Sequence, residues 1–276
     1  MSGSTRIGNR SGRWLGILYL VVFLGFMVAP LFFIVVNSFN DAAYSVFPPK
    51  GLSLRWYYNL FKIDDFFVAI RNSVIIALCA MALSITLGTA IALAIVRGRW
   101  VRRETIQSLF LTPLLVPRLV IGIAIFIAAI KVSLYPSFIS IILADSVLLL
   151  PYVVSIVAAN LLQVQRVQEE AAMDLGANAW QTFRLATLPQ ISRGLIVVAI
   201  FAFIVSFDEF DIALFLTRSQ NMTVPIRMFL YMQEADNPTM AALSTLLIAG
   251  AAVAVFAIAR IARHADLINL MRRRAH

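Results

Sequence analysis

Five charged residues fall well inside stretches otherwise apolar enough to lie in lipid: Arg118, Asp145, Asp208, Glu209 and Asp211. A charge in hydrocarbon is costly, so groups kept there pair with one another, meet a charged solute or relay protons. With each stretch read as a helix, Asp208 sits about 21 Å and Arg118 about 20 Å from the inner ends of their spans, and Asp145 about 12 Å from the outer end of its own. In a core about 30 Å thick, all three then lie in the outer half at similar levels. Two readings stay open. In one, Arg118 pairs with Asp208 or Asp145 as a buried ion pair that only offsets desolvation. In the other, the charges line a translocation path; their mixed sign suits a zwitterion at least as well as a polycation.

Composition sets the elements that must carry these groups. Of 276 residues, 61% are hydrophobic and 13% charged, with a mean hydropathy of +0.88. A soluble chain of this size would carry about 25% charged residues. Six windows reach the roughly 20 apolar residues that a spanning helix needs: 14–36, 72–96, 105–130, 138–162, 194–216 and 240–262. The first exceeds the ~7–15-residue core of a secretory signal and reads as a retained span. The expected fold is an all-α membrane protein with six transmembrane helices. The expected organisation is a tail at 1–13, one six-helix domain at 14–262 and a basic tail at 263–276.

Lys and Arg are split about two to one between the two sides of these spans, which places both termini in the cytoplasm. That rule accounts for the net charge of +9 without invoking nucleic acid. Two outer loops, after the first and fifth spans, read as partly ordered caps. Trp56, Tyr57 and Tyr58 in the first read as an interfacial belt. Pro113, Pro117 and Pro151 can kink their spans. Cys79 reads as a small core residue with no disulfide partner. His264 and His276 lie outside every span, and neither H-E-x-x-H nor G-x-S-x-G occurs, so nothing points to a hydrolase.

One polar cassette stands out on the inner side: "QEEAAMDLGANAWQTFRLATLPQ", residues 168–190. Glu169 to Leu175 are helix formers, with Ala171 and Ala172 small enough for another surface to approach. Gly176 suits a left-handed helix end. Asn178 and Gln181 have capping-box spacing for a second short helix, and Pro189 interrupts the ladder before the fifth span. Two short helices with a sharp bend make either a docking element or a solvated connector.

The run Glu170-Ala171-Ala172, Gly176 and Leu188-Pro189 resembles the EAA loop of ABC-importer permeases, E-A-A-x3-G-x9-I-x-L-P, with Ala186 where that family carries Ile. Further motifs, in order, resemble the spermidine/putrescine permease family and its opine-importer kin: "NSFND" from residue 37, "RWYYNLF" from 55, "TPLLVP" from 112, "LLPYVV" from 149, "SFDEFDIALFL" from 206 and "PTMAALSTLLI" from 238.

The resemblance implies a type I ABC importer permease (MetI-like) fold in the bacterial inner membrane, multi-pass, N-in and C-in. It implies a coupling loop at about 163–193, with Glu169, Glu170, Ala171, Ala172, Asp174, Gly176, Leu188 and Pro189, seated in a groove of an ABC ATPase dimer. It also implies a second permease subunit on a different chain and a periplasmic binding protein that delivers the solute. The chain then performs no chemistry and binds no cofactor, with ATP and Mg held by the partner ATPase. In keeping with that, no Gly is followed by Lys, so there is no G-x-x-x-x-G-K-[ST] loop. Asp208 and Glu209 match an acidic pair in polyamine permeases, whereas Arg118 and Asp145 depart from that pattern. The solute implied is small and amine-bearing, polyamine-like or opine-like. The rival from another class is an ion-coupled carrier that moves a proton through Asp208 and Glu209.

Overall fold

In a computed structural model, the structure describes residues 9–98 and 103–274. The basic side chains at Arg6, Arg99 and Arg102, and those of the 263–276 tail, lie outside what is described. The elements are helical: α1 (Asn9–Ser38), α2 (Arg55–Phe61), α3 (Asp64–Arg97), α4 (Arg103–Leu111), α5 (Arg118–Lys131), α6 (Phe138–Gln163), α7 (Arg166–Asp174), α8 (Ala179–Thr182), α9 (Leu188–Phe207), α10 (Ala213–Leu216), α11 (Val224–Glu234) and α12 (Thr239–Arg274). Among the described residues the only β pairing is an isolated bridge between Asn40 and Leu52. Five helices are long and apolar enough to cross a membrane, and six spans result if the bent pair α4–α5 counts as one.

Several expectations need correcting. The 105–130 window is not one rod: Ser108–Leu115 and Arg118–Lys131 meet at 102°. The residue before a proline is pushed out of the α region, and Val116 before Pro117 is extended at φ −92°, ψ 132°. A 3-10 turn at Thr112–Leu115, with Pro113 in its first positions, completes the break. The depth of Arg118 counted along a straight helix therefore fails. The 194–216 window also divides, because α9 ends at Phe207 and the chain turns before α10. At its other end α9 continues the helix that begins at Ala179, and Pro189 interrupts the ladder as expected: the π turn Phe183–Thr187 lies just before it. The helix at either end also passes the expected bounds, with α1 starting at Asn9 and α12 running to Arg274.

The chain divides into two compact units, one of residues 64–230 and one of residues 1–63 with 231–276. In the first, α3, α6 and α9 pack around Ala92, Val96, Val153, Val157, Leu161, Ile191 and Val198. Lipid tails are as apolar as these side chains, so close packing rather than water exclusion must hold spans together. Glycine supplies it. A Cβ on Gly88 would lie 2.5 Å from Val153 Cγ1, and one on Gly194 would lie 2.4 Å from Asn160 Cγ. A second core joins Ile76, Ala129, Ile141, Ala144 and Leu148 to Ile212 and Leu216 beyond the α9 break. Outside the bundle, Val224 N–H donates to Ser73 Oγ at 2.9 Å and Arg227 lies 3.4 Å from Asp65, which orders the segment after α10. Cys79 is exposed on α3 rather than in the core.

In the other unit, α1 and α2 pack against α12. Asn59 Nδ2 donates to Thr239 Oγ1 at 2.9 Å. Asn40 organises the loop after α1: its Nδ2 donates to Val46 O, and its Oδ1 accepts from the N–H groups of Ala42 and Lys50. Trp56 does not belong to an exposed belt, because it is buried and donates Nε1–H to Asn40 O at 2.7 Å, while Tyr58 is exposed.

Candidate functional site

The two broken spans meet at their breaks. Arg118 opens α5, where a cation opposes the positive end of the helix dipole and so needs a carboxylate nearby. Glu209 supplies it, with Oε2 3.3 Å from Arg118 Nη1. Its Oε1 accepts the N–H of Ile212 at 3.1 Å, satisfying a donor left free where the chain re-enters helix. Glu209 is buried, Asp211 half-buried and Asp208 exposed. Arg118 thus pairs with Glu209, and not with Asp208 or Asp145 as one of the two open readings had it. Because α9 stops at Phe207, Asp208 becomes its C-cap and turns outward while Glu209 turns in.

Asp145 lies deeper in the bundle. Its Oδ2 accepts from Ser206 Oγ, and its Oδ1 is buried without a hydrogen-bond partner. Ser206 O also accepts the N–H of Glu209 at 3.3 Å, so one serine links the two buried acids. Gly122 seats α5 against the return segment: a Cβ there would lie 3.0 Å from Phe215 Cδ2, 3.2 Å from Ile212 Cα and 3.3 Å from Asp211 O. Nothing in an apolar run marks this glycine as a contact. Among the described residues no group of His, Cys, Asp and Glu is placed to hold a metal ion.

The cassette forms as its residues dictate. α7 ends at Asp174, with Leu175 as its C-cap, and Gly176 follows with a φ of +89° that is open to glycine at little cost. Gly176 N–H bonds Met173 O and Ala177 N–H bonds Ala172 O, closing the helix end. Asn178 and Gln181 make the reciprocal capping box, each bond 2.9 Å. α8 then runs through a π turn, Phe183–Thr187, straight into α9. Glu170, Ala171, Asp174 and Pro189 are exposed, Ala172 and Leu188 partly buried. Leu175, Trp180 and Leu185 are exposed at 90%, 67% and 71%, an apolar surface on an otherwise polar element.

Glu169 behaves differently from its neighbours. It is buried, with Oε2 2.8 Å from Arg97 Nε at the end of α3 and Oε1 accepting from Thr187 Oγ1 at 2.8 Å. Arg97 and Thr187 carry no sequence signal for this, because Arg97 sits 72 residues from its partner.

Residues 84–266 match the family described as binding-protein-dependent transport system inner membrane component. Over 247 residues the chain is 31% identical to the putrescine transport system permease protein PotI of Escherichia coli (strain K12), covering 87% of this chain and 88% of that protein. It is 27% identical over 230 residues to the spermidine/putrescine transport system permease protein PotC of Haemophilus influenzae, covering 83% and 89%. Among solved structures it resembles a chain of a bacterial ABC transporter involved in the import of the acidic polysaccharide alginate. The TM-score is 0.71 at 14% identity, covering 93% of this chain and 99% of that one, a likeness of fold.

Proposed function

This chain belongs to the binding-protein-dependent transport system inner membrane component family, and we propose that it is the permease subunit of an ATP-driven importer for a small amine-bearing solute. It lies in the inner membrane with both termini in the cytoplasm, beside a second permease chain. ATP and Mg are held by an ATPase dimer that receives the cassette, and a periplasmic binding protein delivers the solute. The chain itself carries no cofactor.

The observation that carries this reading is the cassette. Leu175 is exposed at the end of α7, and Trp180 and Leu185 are exposed on α8 and on the π turn that leads into the spanning α9. Exposed apolar groups rimmed by polar residues mark a protein contact. The solute class is supported at the span breaks. Two acids, Asp208 exposed and Asp211 half-exposed, stand there against one exposed cation, Arg118, which is itself paired with the buried Glu209. The names of the relatives, putrescine and spermidine permeases, agree with a cationic solute.

The test is uptake of radiolabelled putrescine and of an opine by proteoliposomes that hold the whole complex. The reading expects uptake to require ATP with the ATPase and to survive dissipation of the proton gradient. Uptake driven by the gradient alone would instead favour an ion-coupled carrier.

A further inference from the structure

Glu169 sits in the most polar element of the chain, yet its carboxylate is buried among ends of four helices. Arg97 approaches both of its oxygens, Nε at 2.8 Å from Oε2 and Nη2 at 3.1 Å from Oε1. The same Nη2 donates to Leu161 O at 3.2 Å and to Val164 O at 3.3 Å at the C-terminal end of α6, where Leu161 O also accepts the N–H of Val164. Thr187 Oγ1 donates to Glu169 Oε1 at 2.8 Å from the last residue of the π turn. Arg166, at the start of α7, donates to Val96 O at the end of α3 at 3.1 Å. One carboxylate thus fastens α7 to the ends of α3 and α6 and to the start of α9, the helices that form the bundle.

We propose that Glu169 is a positioning residue of the transport cycle: through Arg97 and Thr187 it makes the cassette and the three bundled spans move as one body. This rests on the reading of the chain as a permease driven through its cassette. Three physical points support it. A buried ion pair adds little net stability after desolvation, so its use lies in fixing one geometry. Bonds to charged groups are the strong ones, about twice a neutral bond. The backbone route from cassette to α9 passes through a π turn, an irregular segment where side-chain anchoring decides the register. Without Thr187 held to Glu169, a push on Trp180 or Leu185 would be absorbed there. Glu170, one residue on, is exposed and has no such place in the bundle.

The test uses the complete complex, with Cys79 replaced by Ala and spin labels at Gln168 on α7 and Leu87 on α3, both exposed. Distances are measured without nucleotide and after trapping with ATP and vanadate. In the otherwise unaltered chain the 168–87 distance should be the same in both states. In Glu169→Gln it should shift or broaden only after trapping, with the coupling of nucleotide to movement lowered about tenfold. If Glu169→Gln does not assemble, Thr187→Val carries the test, since it leaves the ion pair in place. An unchanged distance in both states in these variants overturns the proposal. A chain that brings down no ATPase subunit on purification overturns the permease reading itself, and the proposal with it.

Discussion

Arg118 and Glu209 meet across two broken spans, the guanidinium Nη1 3.3 Å from carboxylate Oε2, one at the first residue of α5 and the other just past the end of α9. The carboxylate is almost fully buried, whereas the arginine side chain is 43% exposed. The pair is therefore lopsided: losing the arginine strands a buried anion, while losing the glutamate frees a cation that can reach solvent.

Arg118→Met should destabilise the subunit by less than the ~3–5 kcal/mol of a fully buried pair, because the exposed arginine is partly screened. Arg118→Met with Glu209→Gln should recover most of that loss, as thermal unfolding of the purified complex in detergent would show. If the recovered double variant also transports at the normal rate, the pair is structural only and has no part in the path.

Asp208 and Asp145 should separate in uptake assays. Asp208→Asn removes an exposed charge and should lower uptake of a cationic solute roughly tenfold, in line with the ~1.5–3 kcal/mol of a bond to a charged group. Asp145→Asn keeps an acceptor for Ser206 inside the bundle and should leave uptake close to normal. Equal losses in both would return Asp145 to the path.

Gly122→Val places side-chain atoms against Phe215 and the backbone of Asp211 and Ile212. Overpacking of this kind costs about 1–3 kcal/mol, and here it pushes α5 off the segment that holds Glu209. Both unfolding temperature and uptake should fall. Gly250→Ala, with nothing within 4 Å of its would-be Cβ, should change neither.

Gly176→Val isolates the backbone. No atom lies within 4 Å of a Cβ there, and φ is +89°, so the ~1–2 kcal/mol cost comes from the left-handed conformation alone. The variant should insert normally and lose ATP hydrolysis stimulated by binding protein, while Gly176→Asn should lose less. Full stimulation in Gly176→Val would make the bend a plain connector.

Much of this was legible in the sequence, and the limits have physical causes. Apolar run length marks a span without marking its direction, so the windows at 14–36, 72–96, 138–162 and 240–262 fall on single helices while the other two hide their breaks. Pro113 and Pro117 signalled a kink, but not that a 3-10 turn between them would give 102°. Which of Asp208 and Glu209 faces inward depends on the residue at which α9 stops, and uniform hydropathy up to Phe207 does not specify it. The cassette was legible because Gly176, Asn178 and Gln181 act through local backbone chemistry. Arg97 and Glu169 were not, because their contact exists only once α3, α6 and α9 are packed.

The central claim is that the cassette meets an ATPase on the cytoplasmic side. Leu175, at the end of α7 and 90% exposed, reports on it directly. With Cys79 replaced by Ala and a single cysteine at Leu175, a short bifunctional maleimide applied to inner-membrane vesicles should join this chain to a nucleotide-binding subunit. Trapping the complex with ATP and vanadate should change the yield. Labelling of that cysteine in intact cells by a maleimide that cannot cross the membrane would put the cassette on the outside and contradict the account.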